Sequence, residues 1–519
     1  MSPLLADATT KFAVPVIEYS LLAPILILLG AAVLGVLVEA FVPRTARRPT
    51  QLVLTFVSLA VAFGYVVAAH GTRQIAAEGS VAIDGPTLFM QGSILVLAFL
   101  AALVIAERRV DSAGDAFAPR ASTLPGSSEE QQLTRLGWLQ TEIWPLFLFS
   151  VGGMLLFPAS NDLLTMFVAL EILSLPLYIL TGMARRRRLL SQEAAMKYFV
   201  LGAFSSAFFL YGTALLYGFA GTVTLGGIAA ALSQNAQASG LVIGGTALLV
   251  VGLLFKVGAA PFHQWTPDVY QGAPTPVTGF MAACTKFAAF GALLRVMYVA
   301  LGGTQWDWRP AMYVVAILTM VIGSVIALTQ TDIKRMLAYS SIAQAGFILI
   351  GVLSTSQAGL AGTMVYLLAY GLATIGAFAI VTLVRDASGE ATHLSQWAGL
   401  GKKSPLVAGT FALFLLAFAG IPLTSGFTGK FAVFSAGIAG GAAPVVIVAV
   451  IASAIAAFFY IRVVVLMFFS EPAADGPVVV IPSSFTTIAV TVTALATLVL
   501  GIMPQPILDL VNQAGVFIR

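Results

Sequence analysis

Apolar stretches about twenty residues long recur along the chain from end to end, separated by short polar punctuation, and that length is what an α-helix needs to cross a bilayer. Inside lipid every backbone N–H and C=O must find its partner within the protein, so stretches of this kind fold as helices. Of the 519 residues, 59% are hydrophobic and only 9% are charged, against roughly 25% charged in a soluble domain. A chain so poor in charge cannot clothe a water-facing surface, which excludes a cytosolic enzyme, a secreted domain and a nucleic-acid binder. The single cysteine, Cys284, permits no internal disulfide, Cys-x-x-Cys pair or iron–sulfur site, and reads as a small packing residue.

The pattern predicts an all-α polytopic membrane protein with about 14 transmembrane helices. The spans run Tyr19 to Phe41, Gln51 to Ala69, Thr87 to Glu107, Ile143 to Ala159, Asn161 to Gly182, Ala194 to Gly221 and Leu241 to Gln271. They continue with Pro274 to Ala300, Arg309 to Leu328, Lys334 to Leu353, Gly359 to Arg385, Pro405 to Gly440, Pro444 to Phe469 and Phe485 to Met503. Charge placement agrees with the count. Loops after odd-numbered spans hold Arg44, Arg47, Arg48, Arg108, Arg109, Arg120, Arg135, Arg185 to Arg188, Lys334, Arg335, Arg385, Lys402 and Lys403, whereas loops after even-numbered spans hold Arg73 and Arg309. Cytoplasmic loops accumulate Lys and Arg, so both termini are expected on the non-cytoplasmic side, and the four-arginine run reads mainly as a topology signal. Met1 to Tyr19 has no basic start followed by an apolar run, so the chain is expected to be mature as it stands. The polar stretch 108–142 reads as a cytoplasmic loop, either mobile or ordered against a neighbour.

Ionisable groups in mid-span are costly, by about 2.5 to 3.5 kcal/mol each even on lenient scales, so each asks for a reason. Glu171 lies halfway along the fifth span, Lys256 within the seventh, Lys286 at the centre of the eighth and Lys430 in the twelfth. A static pair of Glu171 and Lys256 that only fixes helix packing is one reading. Three buried lysines against one carboxylate favour another, in which a desolvated ammonium loads and releases protons as its partner approaches and leaves. Arg295, Glu39 and Arg462 lie nearer span ends and read as snorkelling or structurally paired groups.

The seventh and twelfth spans also carry helix breaks, at Pro261 and Pro267 in one and at Pro422 and Gly426 in the other. Freed carbonyls at membrane depth need protein or water, so the breaks are expected to line a hydrated interior. Paired breaks also mark inverted repeats. The expected organisation is 1–142 for the first three helices and their loop, 143–300 and 301–470 for two inverted five-helix repeats, and 471–519 for the last helix. His263, between the two prolines, reads either as a proton relay or as a cap on a broken helix end. Tyr339, Ser340, Ser341 and Gln344 in the tenth span are candidates to line water, with hydroxyl-to-carbonyl bonding inside the helix as the alternative. His70 and His393 read as solvated, and three scattered histidines make a metal site unexpected.

The run Leu170-Glu-Ile-Leu-Ser-Leu-Pro-Leu-Tyr178, then Ala195-Met-Lys-Tyr-Phe-Val-Leu-Gly-Ala-Phe-Ser-Ser206, then Lys256 through His263 to Pro276, resembles the subunit N family of proton-translocating NADH–quinone oxidoreductase, respiratory complex I. The resemblance extends through Asp332-Ile-Lys-Arg-Met-Leu-Ala-Tyr-Ser-Ser341 and the Gly420-Ile-Pro break to Lys430, and covers nearly all the spans. It implies that Glu171, Lys256, Lys286 and Lys430 form the proton pathway. It implies also that NADH, flavin, iron–sulfur clusters and quinone belong to other subunits, with no cofactor and no metal in this chain. Neighbouring antiporter-like subunits and the lipid bilayer of a bacterial cell membrane are the implied partners. The glutamate, lysine and broken-helix plan is common to the wider antiporter-like family, so a subunit of a multi-subunit sodium/proton antiporter is the alternative, and a purely structural spacer a second one. The long charged loop between the third and fourth spans departs from the family pattern.

Overall fold

The structure, a computed structural model, describes residues 17–111, 114–120, 122–124, 126–234, 240–386, 389–472 and 476–518, so most of the N-terminal stretch read above lies outside the described residues. All the expected spans contain helix. Twelve helices among the described residues are long and apolar enough to cross a membrane. The fourth expected span, Ile143–Ala159, is shorter, and the twelfth is divided into Pro405–Ala419 and Ser425–Ala439. The seventh is divided into Gly240–Val257 and Trp265–Gly272. Several starts are fixed by side chains that accept the orphan amides of the first turn: Asp84 for the third span, Asp162 for the fifth, Asp332 for the tenth and Ser356 for the eleventh.

Neighbour relations repeat along the chain. The fourth helix packs on the fifth as the ninth, Gln305–Thr329, packs on the tenth, Ile333–Leu353. The sixth, Arg188–Ala220, packs on both halves of the seventh as the eleventh, Gln357–Leu383, packs on both halves of the twelfth. The first half of each broken helix ends at a glycine with positive φ, +78° at Gly258 and +81° at Gly420. Any Cβ at Gly420 would also stand 2.8 Å from Lys430 Cδ, so the turn needs glycine on both counts.

The two sets of loops lie on opposite faces. On one face Asp111 binds Arg186 and Arg385 at 2.7 and 3.6 Å, Lys334 reaches Glu390 at 3.4 Å, and Arg187 donates to Thr392 at 2.7 Å. On the other, a hairpin of Gln74–Ala76 with Val81–Ile83 joins the backbone at Ser160, and Arg309 bonds Gly440 O. The arginine run therefore does more than mark topology. Arg185 pairs with Asp115 and Arg188 with Glu130, at 2.8 and 2.7 Å, so the 108–142 loop folds onto it and forms a short helix, Ser128–Arg135. Burial pushes the Asp115 carboxyl above its ordinary value even though the Arg185 guanidinium opposes the shift.

Of the three peripheral charges, Arg295 is wholly buried and binds both oxygens of Asp84 at 3.0 and 3.1 Å and Pro158 O at 2.6 Å. Residues 517 and 518 close this site. Ile518 N donates to Asp84 Oδ2 at 3.0 Å, and the Phe517 ring lies 4.5 Å from the guanidinium carbon. Glu39 is tied to Arg47, Gln51 and Thr141, at 3.5, 2.7 and 2.8 Å. Arg462 stays exposed.

Candidate functional site

Lys256 lies at the end of the first half of the seventh helix, 2% exposed. Its ammonium is 3.5 Å from the Tyr178 hydroxyl and 5.3 Å from the ring centroids of both Tyr178 and Tyr198. Aromatic packing continues from there: Tyr198 stacks on Trp265 at 4.7 Å, and Trp265 meets Tyr270 edge-on at 6.4 Å. Glu171, Ser174 and Tyr178 are spaced to share one face of the fifth helix. Glu171 and Lys256 make no direct ion pair, and Glu171 Oε1 is buried without a hydrogen-bond partner. The expected pair is thus not in direct contact, and the group that stands at the ammonium is the Tyr178 hydroxyl. Gly202 makes room for that hydroxyl, since a Cβ there would come within 2.1 Å of it.

The second station is Lys286. It directly follows a π-helical turn, Met281–Thr285, a local widening that recurs at functional positions. Its ammonium donates to Ser341 Oγ at 2.6 Å and to the Ser341 carbonyl, and lies 5.6 Å from the Tyr370 ring. Tyr270 Oη stands 3.5 Å from the same Ser341 hydroxyl, which joins the Lys256 end to the Lys286 end.

From here the tenth helix carries the chain onward. Ser340 hydrogen-bonds the Tyr460 hydroxyl, and Gln344 Nε2 lies 3.4 Å from it. Gln344 accepts from Tyr366 through Oε1 and donates through Nε2 to Phe418 O at 2.8 Å. That carbonyl belongs to the last turn before the break in the twelfth helix, where carbonyls have no amide to accept from. Lys430 fills the vacancy, donating to Phe418 O at 3.0 Å, Ala419 O at 2.9 Å and Ser453 Oγ at 2.8 Å, with its ammonium 4.8 Å from the Phe347 ring.

The structure thus groups Lys286 with Ser341, and Ser340, Gln344 and Lys430 with one another through Tyr460 and Phe418 O, while Lys256 is linked to Tyr270 by ring packing. Others stand apart. Tyr339 is half-buried and packs against apolar neighbours, because one step along a helix turns a side chain by about 100° away from its neighbour's face. His263 sits half-buried in the connection between the halves of the seventh helix, its Nδ1 buried without a partner. Pro261 and Pro422 face outward rather than into a hydrated interior, while Pro267 and Gly426 are buried. What turns inward at the twelfth-helix break is the pair of carbonyls before it. Cys284 is buried in the packing. The residues that sequence reasoning missed are the aromatic and hydroxyl linkers Tyr178, Tyr198, Tyr270, Tyr366, Tyr460 and Ser453. For Tyr178 a signal existed in its seven-residue spacing from Glu171.

Residues 160–456, more than half of the chain, match the family described as NADH:quinone oxidoreductase/Mrp antiporter, TM. The chain is 62% identical to NADH-quinone oxidoreductase subunit N of Rhodococcus opacus over 99% of both sequences. It superposes on a chain of respiratory complex I from Thermus thermophilus with bound aureothin at TM-score 0.76 and 33% identity, covering 94% of this chain and 98% of that one. A chain of the Mrp complex from Dietzia sp. superposes with TM-score 0.77 over 95% and 97% at 22% identity, a likeness of fold alone.

Proposed function

The chain belongs to the NADH-quinone oxidoreductase subunit N family, and from that premise we propose that it is a proton-translocating membrane subunit of a bacterial complex I. Electron transfer from NADH to quinone takes place on other subunits, which carry the flavin, the iron–sulfur clusters and the quinone site. This chain is a non-redox part of that translocase. It works beside neighbouring antiporter-like subunits in the cell membrane, with its arginine-rich face to the cytoplasm and both termini on the other side.

The observation that carries the proton reading is a pair of buried polar clusters held on neighbouring residues of the tenth helix, Lys286 with Ser341 on one side and Ser340 with Tyr460, Gln344, Phe418 O and Lys430 on the other. Lys286 and Lys430 sit among acceptors that hold the charged form, Lys256 has the Tyr178 hydroxyl at 3.5 Å, and burial disfavours the charge on all three, so a proton is held but not trapped. Glu171 biases Lys256 through space, and approach or withdrawal of that charge changes which lysine keeps the proton. At an effective dielectric near 20, unit charges about 4 Å apart interact by about 4 kcal/mol, more than the roughly 2.3 kcal/mol needed to move a charge against 100 mV. The hydroxyls of Tyr270, Ser341 and Tyr460 both donate and accept, as a relay requires. The antiporter alternative is the weaker reading, because the family description shared with Mrp antiporters and a likeness of fold stand against 62% identity to a subunit N.

The test is a reconstituted complex carrying Glu171→Gln or Lys256→Ala. Normal assembly with fewer protons moved per NADH oxidised is expected. Wild-type proton yields at normal assembly would sink the pathway.

A further inference from the structure

On the arginine-rich face a cavity of about 380 Å³ opens beside the end of the thirteenth helix, Ala443–Phe469. Its walls are tied together by backbone hydrogen bonds. Leu394 N donates to Thr331 O at 2.7 Å, Ile333 N to Thr392 O at 2.7 Å, and Gly399 N to Leu466 O at 3.1 Å. The lining is apolar at Leu394, Val465 and Leu466 and polar at Arg462, His393 and Ser395.

The polar groups are donors in search of an acceptor. Arg462 makes no ion pair among the described residues. Its Nη1 donates to Leu328 O at 3.0 Å, and a guanidinium has five N–H donors in a fork suited to phosphate. His393 Nδ1 accepts from Ser395 N at 3.3 Å and lies 2.7 Å from Ser395 Oγ, which in the neutral ring leaves the proton on Nε2 as a further donor. Nearby carboxylates are engaged elsewhere. Asp332 caps the tenth helix and accepts from Gln271 at 3.1 Å, and Glu471 pairs with Lys402 at 2.5 Å.

Depth and surroundings choose the ligand. Arg462 is seven residues before the end of its helix, which at 1.5 Å per residue places it about 10 Å below that end. Below the cavity the surface is apolar and exposed, at Phe458 and Ile461 on the thirteenth helix and at Val321 and Val325 on the ninth. A free phosphate has no use for such a floor, whereas a phospholipid has an anionic head and apolar chains at this spacing. We propose that this cavity binds the phosphate of an anionic phospholipid between Arg462 and His393, with the acyl chains laid along the seam of the ninth and thirteenth helices.

The experiment uses the assembled complex in detergent and a phosphatidylglycerol analogue with a photoactivatable diazirine in one acyl chain. Crosslinks are expected in the peptides containing 321–329 and 458–466, competed by dioleoylphosphatidylglycerol and unaffected by inorganic phosphate. Arg462→Gln loses charge-assisted hydrogen bonds and is expected to lower labelling by about tenfold; His393→Ala lowers it less, and Arg462→Lys partly restores it. NADH–quinone reductase activity of each variant reports assembly, and His393→Ala, on an exposed loop, keeps the test open if Arg462→Gln does not assemble. Labelling that is absent from these peptides while other lipid-facing helices are labelled overturns the proposal. So does labelling indifferent to both substitutions, competition by inorganic phosphate, or a crosslink showing that a partner subunit's carboxylate occupies the cavity.

Discussion

Replacing Lys430 by methionine removes the ammonium that fills the break in the twelfth helix while keeping the length of the side chain. The ammonium makes three hydrogen bonds, to Phe418 O, Ala419 O and Ser453 Oγ. At about 1.5 to 3 kcal/mol for each bond to a charged group, they offset a desolvation penalty of several kcal/mol. The two sides nearly cancel, so loss of the charge is expected to leave the fold intact. In Lys430→Met, Phe418 O still accepts from Gln344 at 2.8 Å, and Ala419 O keeps only the 3.5 Å contact to Ser453. One poorly satisfied carbonyl costs about 1 to 3 kcal/mol, against the relief of no longer burying a charge, so the net change in stability stays within about 2 kcal/mol. Assembly therefore survives and proton transfer does not. In inverted membrane vesicles, NADH-driven acidification read by an acridine dye and normalised to complex content is expected to fall by about tenfold or more, the effect of adding at least 1.4 kcal/mol to one transfer step. Lys430→Arg sharpens the test, because arginine keeps the charge and the carbonyl contacts but does not release its proton. It should assemble and pump as poorly as the methionine variant. Wild-type acidification by Lys430→Arg would refute the reasoning, since charge alone would then suffice.

Three further outcomes follow from the same geometry. Tyr460→Phe deletes the hydroxyl between Ser340 and Gln344; a loss of about 1 kcal/mol in stability is expected with a larger loss in proton yield per NADH, measured in the same vesicles. Asp84→Asn leaves the fully buried Arg295 without its counter-charge and should cost about 3 to 5 kcal/mol, seen as loss of the subunit from membranes, with Asp84→Asn/Arg295→Met recovering much of it. Burial raises the Glu390 carboxyl, but Lys334 and Arg385 outweigh it and hold the group below its ordinary value of 4.5. Its contribution is thus complete above about pH 4.5 and is lost as pH falls through the lowered value, so acid should loosen the paired residues 384–386 and 389–390 and Glu390→Gln should abolish that pH step, read by hydrogen exchange corrected for intrinsic rate.

The spans were legible because twenty apolar residues admit one solution in lipid, and Lys256, Lys286 and Lys430 because a charge at that depth has no bland background to hide in. Pro and Gly likewise gave away the two breaks. The linkers were not legible. Tyr198, Tyr270 and Tyr460 look like any aromatic in an apolar helix, and only packing reveals that their hydroxyls or rings meet a lysine or its partner. Ser340 and Ser341 could be separated from Tyr339 only once the helix was oriented. The arginine run was read as a topology signal because sequence statistics know the sign of a loop but not that Asp115 and Glu130, tens of residues upstream, would fold back onto it. Asp84 carries no local signal of its role, since its partner Arg295 comes 211 positions later.

The seal on that pair has a consequence for how the protein is made. Asp84 accepts from an amide 434 positions downstream, so through most of synthesis the carboxylate and its arginine wait in the bilayer with one donor and the covering Phe517 ring still to come. Until that segment packs, the buried pair is short of one donor and of the ring that covers it. The closing contact thereby ties the security of the Asp84–Arg295 pair to whether residues 517 and 518 are packed in place.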